Sequence, residues 1–198
     1  ESPFNPLAVG RAYTEATAWQ YRFFVPHDVN GMIQLFGGKE EFVAALDDIF
    51  NTDAEIHGNL VDITGLIGQY VHGNEPSHHI AYLYNYVGEP WKTQKMSRRL
   101  LNEMYHPTPE GIIGNEDCGQ MSAWYILSSM GLYSVCPGSN EYVLTTPLFE
   151  KVVVHLANGR TLTILANDPQ KNIYITKVEL NGKQIDLSLI HISEPTRH

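Results

Sequence analysis

The spacing of hydrophobic residues changes at Pro137-Gly138, and this change constrains the fold more than any other feature of the sequence. Before it, apolar residues recur at helical spacing, most clearly at 39–50, where aliphatic and aromatic side chains would share one face. After it, β-branched and aromatic residues form runs typical of strands, such as 151–157 and 161–166. Helices followed by antiparallel strands, without βαβ alternation, predict an α+β fold.

The ends of individual helices and strands can be placed from glycine, proline and Asn-Gly pairs in the sequence. Four further stretches have helical spacing and most end at Gly or before Pro: 15–24, 77–88, 92–105 and 120–130. Asn158-Gly159 separates two predicted strands, which is a strong hairpin signal. Asn181-Gly182 opens a second hairpin, whose return strand begins at Lys183. We therefore divide the chain into a helical part, residues 1–137, and a β-rich part, residues 138–186.

The two ends of the sequence look unusual. Residues 187–198 read LSLIHISEPTRH, which resembles the translation of a sequencing-library adapter. We expect a non-native tail there and exclude it from fold reasoning, the alternative being a genuine short strand at LSLIHI. The chain starts at Glu1 without an initiator Met or a leader-like segment, so the sequence does not decide whether the protein is secreted.

Charge and hydropathy exclude some partners. The net charge is −9 and no Lys/Arg cluster forms a stripe, so nucleic acid and anionic membrane surfaces are poor candidates. No apolar run reaches the roughly 18 to 20 residues that a membrane-spanning helix needs. The two cysteines, Cys118 and Cys136, could form a disulfide or both stay free.

Three Gly- or aromatic-flanked segments carry acidic residues near predicted helix starts. They are centred on Glu15, Glu75 and Asp117. Taken singly, each carboxylate could simply cap a helix, because it would accept unpaired N–H groups and meet the positive end of the helix dipole. Taken together, loops from successive helices could converge on one pocket, and their glycines would permit close approach of backbone to a ligand.

The residue types in these segments suit a cation and a pair of carboxyl groups. Oxygens from Asn74, Glu75 and Asp117 are the ligands that calcium prefers. Two further carboxyls on either side of a glycosidic bond would act as acid and base. A carboxylate held near a cation and a helix N-terminus stays ionised, as a base must. Glu15, with aromatic sequence neighbours, suits the raised pKa of a general acid.

Histidines offer a rival interpretation. His72, His78 and His79 could bind zinc, although their spacing is not HExxH and the two adjacent histidines would point to different faces. Hydrogen bonding within the fold, or contact with sugar hydroxyls, is the other role open to them. No GxSxG motif is present, so acyl transfer by a serine nucleophile has no support.

Three long strings resemble glycoside hydrolase family 92, a family of exo-acting α-mannosidases. They are EATAWQYRFFVPHDVNGMI, HGNEPSHHIAYLYNYVGEPWKTQ and GIIGNEDCGQMSAWYILSSMGLYSVCPGSNEYVL. The resemblance covers residues 7–186. It implies a β-sandwich domain packed on an (α/α)6-type helical barrel, with this chain as the last part of the barrel followed by an antiparallel β-rich segment. It also implies calcium-dependent hydrolysis with inversion.

The resemblance also implies residue roles. Glu15 matches the general acid, with Glu75 as the competitor for that role, and Asp117 matches the general base. Asn74 and Glu75 match calcium ligands. Some members carry a second acidic residue where this chain has Asn115, so we assign Asn115 no proton transfer.

The remaining expectations concern substrate, partners and location. His72, Trp19 and Gln20 are expected to bind the α-mannoside. The sandwich domain of the same chain is the expected partner, and without it the fragment would be inactive. The alternative is a non-catalytic carbohydrate-binding or structural module of the same ancestry. The resemblance implies a secreted or periplasmic protein, because that is the usual location of family members.

Overall fold

Helices occupy the first two thirds of the chain, as the periodicity predicts. The computed structural model describes residues 4–9, 12–53, 55, 57 and 63–191. Its α-helices are α1 (Ala18–Tyr21), α2 (Val29–Leu35), α3 (Lys39–Asn51), α4 (Pro90–Glu103) and α5 (Gln120–Met130), and 3-10 helices cover Glu75–Ser77 and Ile80–Val87. The helices predicted at 39–50, 92–105 and 120–130 are confirmed within two residues.

Two predicted helices differ from the observed ones. The stretch 15–24 contains only the four residues of α1, because Thr17 and Gln20 form a capping box and start the helix late. The chain then turns so that Phe23 enters the core. The stretch 77–88 is wound mainly as a 3-10 helix. Nearly all its side chains are buried, so tertiary packing rather than an amphipathic pattern decides its winding.

The strands are short and antiparallel. They are β1 (Leu66–Ile67), β2 (Tyr70–Val71), β3 (Leu132–Tyr133), β4 (Glu141–Leu144), β5 (Lys151–His155), β6 (Thr161–Leu165), β7 (Val178–Leu180), β8 (Lys183–Ile185) and β9 (Leu189–His191). Both hairpins predicted from Asn-Gly pairs are confirmed, as β5–β6 and β7–β8. The β1–β2 pair within the helical part was not predicted. Mixed helix and antiparallel strand content agrees with the α+β prediction.

The C-terminal strand falls within the segment predicted to be a tail. β9 pairs with β4, which also pairs with β3, and these strands form a three-stranded sheet. The Asn85 side chain donates hydrogen bonds to the carbonyls of Leu144 and Ser188 and so ties this sheet to the helices. Leu189–His191 therefore form a strand, which was the alternative to a non-native tail in this segment. Residues 192–198 lie outside the described residues. The origin of the segment stays a prediction.

An aromatic core joins the helices to the first strands. Its largest fully buried side chains include Trp124, Tyr70, Tyr82 and Phe42. Tyr82 stacks on Tyr133 with ring centroids 4.4 Å apart. Such clustered rings bury large apolar areas and favour stacked or edge-to-face contacts. In the described part of the chain, no helix has the length and apolar character to cross a membrane.

Candidate active site

The structure brings the three acidic segments together. Glu15 lies just before α1, Glu75 opens a 3-10 helix and Asp117 lies just before α5. The Asn74 amide donates to the backbone carbonyl of Glu15. Asp117 and Glu15 are both close enough to Glu75 to raise the pKa of its carboxyl. The predicted convergence of these loops is thus observed in the geometry.

Helix capping does not account for Glu15 and Asp117. The Thr17 side chain caps α1, and the Asn74 side chain caps the 3-10 helix by accepting from the Glu75 N–H. At α5 the neighbouring Glu116 accepts from the Ser122 N–H at 3.0 Å. Other side chains therefore serve as caps, and both Glu15 and Asp117 are exposed to solvent.

Three of the five non-glycine residues with positive φ in the described part of the chain lie in the acidic loops. Glu15 has φ 53°, Asp117 has φ 46° and the adjacent Cys118 has φ 58°. Non-glycine residues in the left-handed region cost of order 1–3 kcal/mol each and persist only where the surroundings fix them. The fold therefore maintains an unfavourable conformation at the two positions predicted to be acid and base.

The two cysteines, which could have formed a disulfide, are separate in the structure. Cys118 and Cys136 are both free thiols.

Gly73 and Gly114 pack backbone against backbone and set the spacing of two acidic loops. Gly73 precedes Asn74-Glu75, and Gly114 precedes the segment that leads to Asp117. A Cβ on Gly114 would lie 2.6 Å from the Gly73 carbonyl oxygen and 2.7 Å from its Cα. We expected these glycines to let the backbone approach a ligand. The structure instead shows that they let the two loops approach each other.

Like charges and partial burial raise the pKa of Glu75. Desolvation is the largest cause, and the Asp117 carboxylate and Glu15 add to it, while the backbone N–H of Glu75 opposes it. A cation beside these oxygens would relieve the repulsion and hold Glu75 ionised. Without a cation, Glu75 has the raised pKa that a general acid needs. This agrees with Glu75 as the alternative to Glu15 for the role of general acid.

His72 is the buried anchor of the Glu75 loop. Its side chain is fully buried, 4.4 Å from the Trp124 ring centroid in an edge-to-face contact. The Tyr105 hydroxyl donates to the Met121 carbonyl, so it accepts from His72 Nε2, and the Tyr70 hydroxyl then donates to Nδ1 at 2.9 Å. Burial and the nearby His78 lower the pKa of His72 to about 3, so the ring is neutral.

These contacts oppose the zinc interpretation. Both ring nitrogens of His72 have hydroxyl partners. Nε2 of His78 donates to the His72 carbonyl and Nε2 of His79 donates to the Phe23 carbonyl. Burial lowers the pKa of each of these two histidines to about 4. The partners occupy nitrogen positions that zinc would need.

The residues predicted to bind substrate lie at different depths. His72 is fully buried, as described above. Gln20 is also buried, with its oxygen accepting from the Thr17 N–H and its amide donating to the Gln69 carbonyl. Each would have to give up internal hydrogen bonds to reach a sugar hydroxyl, and substrate binding by these two residues stays a prediction. Trp19 is partly buried beneath the Arg22 guanidinium, which lies 5.1 Å from its ring centroid.

The donor set near the three carboxylates suits a hard cation only in part. All the predicted ligands offer oxygen, which matches calcium chemistry. However, within 4–9, 12–53, 55, 57 and 63–191 no group of three or more His, Cys, Asp or Glu is arranged to hold a metal ion. The Asn74 carbonyl also accepts from the Ser77 N–H at 3.2 Å. Further ligands would therefore be needed to complete a calcium site.

Comparison with known proteins identifies the family. Residues 1–196 match the model of the glycosyl hydrolase family 92 catalytic domain. The chain belongs to glycosyl hydrolase family 92. Its family 92 fold is similar to an α-mannosidase of Bacteroides thetaiotaomicron solved with mannoimidazole, at 41% identity and a TM-score of 0.88 over 96% of this chain. An inverting mannosidase of the same organism has 36% identity and a TM-score of 0.81.

The relatives are much longer than this family 92 chain. It spans 26% and 27% of the two mannosidase chains. A secreted glycosidase of Arthroderma benhamiae, whose activity is uncharacterised, is 34% identical over 174 residues, which are 86% of this chain and 20% of the relative.

Gln120, the first residue of α5, is not among the site residues predicted from the sequence of this family 92 chain. Its amide donates to His78 Nδ1 at 3.1 Å and links the loop of Asp117 to the loop of Glu75. The available signal was its position directly after Gly119, at the start of a helix that follows an acidic segment.

A Cβ at Gly114 should push the acidic loops apart. Left-handed alanine costs about 1–2 kcal/mol, and overpacking adds typically about 1–3 kcal/mol. Gly119→Ala is the matched control, because Gly119 also has positive φ in the same loop but would meet nothing within 4 Å. We expect urea unfolding to show a larger loss of unfolding free energy for Gly114→Ala. Equal losses would contradict the close-approach role.

Removing the Asp117 charge should lower the pKa of Glu75. Because that pKa is raised in the fold, Glu75 stabilises the fold while protonated, and the contribution is lost as the pH rises through the raised value. Asp117→Asn should make this loss smaller. NMR titration of the Glu75 carboxyl in the presence of chelator measures the shift. Glu116→Gln in the same loop is the control and should leave the pKa in place; an unchanged value in Asp117→Asn would refute the coupling.

Proposed function

We propose that this chain supplies part of the catalytic centre of an exo-acting α-mannosidase, which removes terminal α-linked mannose by calcium-dependent hydrolysis with inversion. The observation that carries this proposal is the convergence of Glu15, Glu75 and Asp117 in a family 92 chain. The similar solved structures support it, because they are an α-mannosidase bound to mannoimidazole and an inverting mannosidase.

Asp117 is proposed as the general base and Glu15 as the general acid. Asp117 would take a proton from the attacking water while Glu15 protonates the leaving oxygen of the glycosidic bond. In an inverting reaction the two carboxyls stand about 6.5–9.5 Å apart, which leaves room for the water. The exposure of both residues leaves them accessible to substrate. Their fixed left-handed backbone would hold the carboxyls in place for the reaction.

Asn74 and Glu75 are proposed to hold the calcium ion. When bound, the ion would supply an electrostatic anchor for sugar hydroxyls and favour a flattened ring. The raised pKa of Glu75 supports this role, since a cation would offset the repulsion from Asp117 and Glu15. Water, sugar hydroxyls or residues of the longer enzyme would complete the ligand set.

The chain is proposed to work within a longer protein, called here the complete enzyme. In that enzyme the helices would belong to an (α/α)6-type barrel, with a β-sandwich domain of the same chain as partner. Alone, the fragment would be inactive, because it spans only about a quarter of its solved relatives. Secretion or a periplasmic location is proposed from the family and from the secreted relative. No nucleic-acid partner is proposed, given the net charge of −9.

Asp117→Asn should abolish most hydrolysis of an α-mannoside by the complete enzyme. Loss of a general base costs about 100- to 10,000-fold in kcat. Glu116→Gln serves as a control, because glutamine keeps an acceptor for Ser122 at the start of α5. Circular dichroism would verify that both variants fold. Near-normal turnover in Asp117→Asn would refute the base assignment, and binding of mannosides without any turnover by the unaltered enzyme would favour a non-catalytic module.

Substrates with different leaving groups should separate Glu15 from Glu75. A leaving group that departs without protonation bypasses the general acid. We therefore expect Glu15→Gln to retain substantial activity on an activated aryl α-mannoside while losing activity on an α-mannosyl disaccharide. Glu75→Gln should lose both activities, because the cation site is impaired. The reverse pattern would assign Glu75 as the acid. Steady-state rates on the two substrates make the measurement.

A further inference from the structure

His78 and Gln120 form a bridge between two acidic loops. The backbone N–H of His78 donates to the Glu75 carbonyl at 3.0 Å, where it ends the 3-10 helix. The Gln120 N–H donates to the Asp117 carbonyl at 3.3 Å. The Gln120 side-chain amide donates to His78 Nδ1 at 3.1 Å. A continuous path of hydrogen bonds therefore runs from Glu75 to Asp117 through these two side chains.

The orientation of the His78 ring is fixed by its other contacts. Nε2 lies 2.9 Å from the His72 carbonyl, which can only accept, so Nε2 carries the proton and Nδ1 is the acceptor. The backbone carbonyl of His78 accepts from the Trp124 indole at 3.0 Å. The side chain is only 2% exposed. His78 therefore presents a single acceptor in a fixed position, facing Gln120.

Gln120 is fixed from the other side. Besides donating to His78, its side chain lies close enough to the Tyr133 hydroxyl to affect the pKa of that group. Tyr133 is buried and stacked on Tyr82, so it does not move freely. A partly exposed first residue of a helix does not need an amide for helix stability. The two side-chain contacts therefore indicate that Gln120 sets the position of the residues before it, including Asp117.

We propose that His78 and Gln120 are positioning residues, which fix the separation between the Glu75 and Asp117 carboxyls. This inference rests on the proposed function of those two residues. A displacement of about 1 Å at a reacting group can cost about 100-fold in rate. The bridge would act on kcat rather than on substrate binding, because the His78 ring is buried and the Gln120 amide is bonded to it.

Two substitutions of His78 separate positioning from simple structural support. In His78→Asn, the amide oxygen occupies the place of Nδ1 and can still accept from Gln120. In His78→Gln, the amide nitrogen reaches the place of Nε2 and can still donate to the His72 carbonyl, but the acceptor for Gln120 is lost. Positioning predicts a higher kcat for His78→Asn. Structural support alone predicts the opposite order, because glutamine fills more volume and keeps the buried bond.

Gln120→Met provides a test that does not depend on a buried substitution. Methionine has a similar shape but no amide, and we expect kcat of the complete enzyme to fall about 10- to 100-fold with KM changed less than about threefold. Gln170→Met is the matched control, because Gln170 is exposed and donates only to Leu148, away from the acidic loops. It should leave both constants unchanged.

Crystal structures of the unaltered enzyme and of Gln120→Met supply a readout that needs no substrate. We expect the Glu75–Asp117 carboxyl separation to change in the variant. Unchanged separation together with unchanged kcat would overturn the positioning role. If the unaltered enzyme hydrolyses no α-mannoside, the proposed function fails, and the measured separation alone decides whether the bridge positions the two carboxyls.

Discussion

The hydrogen-bonded imidazole of His72 is the contact on which the rest of the site depends. It joins Tyr70 of β2 to Tyr105 beyond α4 and packs against Trp124 of α5. Three elements far apart in sequence therefore meet at one ring. Burial keeps the ring neutral, so its two nitrogens have distinct donor and acceptor roles. A buried polar network of this kind stabilises only when its members are satisfied, and both nitrogens of this ring have partners.

This anchor makes the unusual geometry of the neighbouring loops possible. Directly after His72, Gly73 packs on Gly114, and the two acidic loops are held closer than any side chain at Gly114 would permit. The same region holds Glu15 and Asp117 in left-handed conformations and places carboxyl groups near one another. Strain and like-charge repulsion both oppose folding locally, and the aromatic core offsets them. Such local costs occur at sites where function requires fixed groups.

Much of the fold could be predicted from the sequence because its elements are strongly patterned. The amphipathic α3 and the hairpin at Asn158-Gly159 follow from spacing and turn chemistry alone. The 3-10 winding of Ile80–Val87 could not be predicted, since its residues are buried on nearly all sides and packing decides its geometry. Convergence of the acidic loops was predicted as a possibility, but the contact between Gly73 and Gly114 was not. Contacts between residues 41 positions apart carry no local sequence signal, and the burial of His72 and Gln20 could not be predicted for the same reason.

Calcium dependence and stereochemistry together test the central claim that Asn74, Glu75 and Asp117 lie at a calcium-assisted inverting centre. The measurement is NMR of the mannose released from a synthetic α-mannoside by the complete enzyme, with chelator and with added calcium. We expect β-mannose as the first product, loss of release with chelator and recovery on calcium addition. Release of α-mannose, or activity indifferent to chelator, would contradict the proposed roles of these residues.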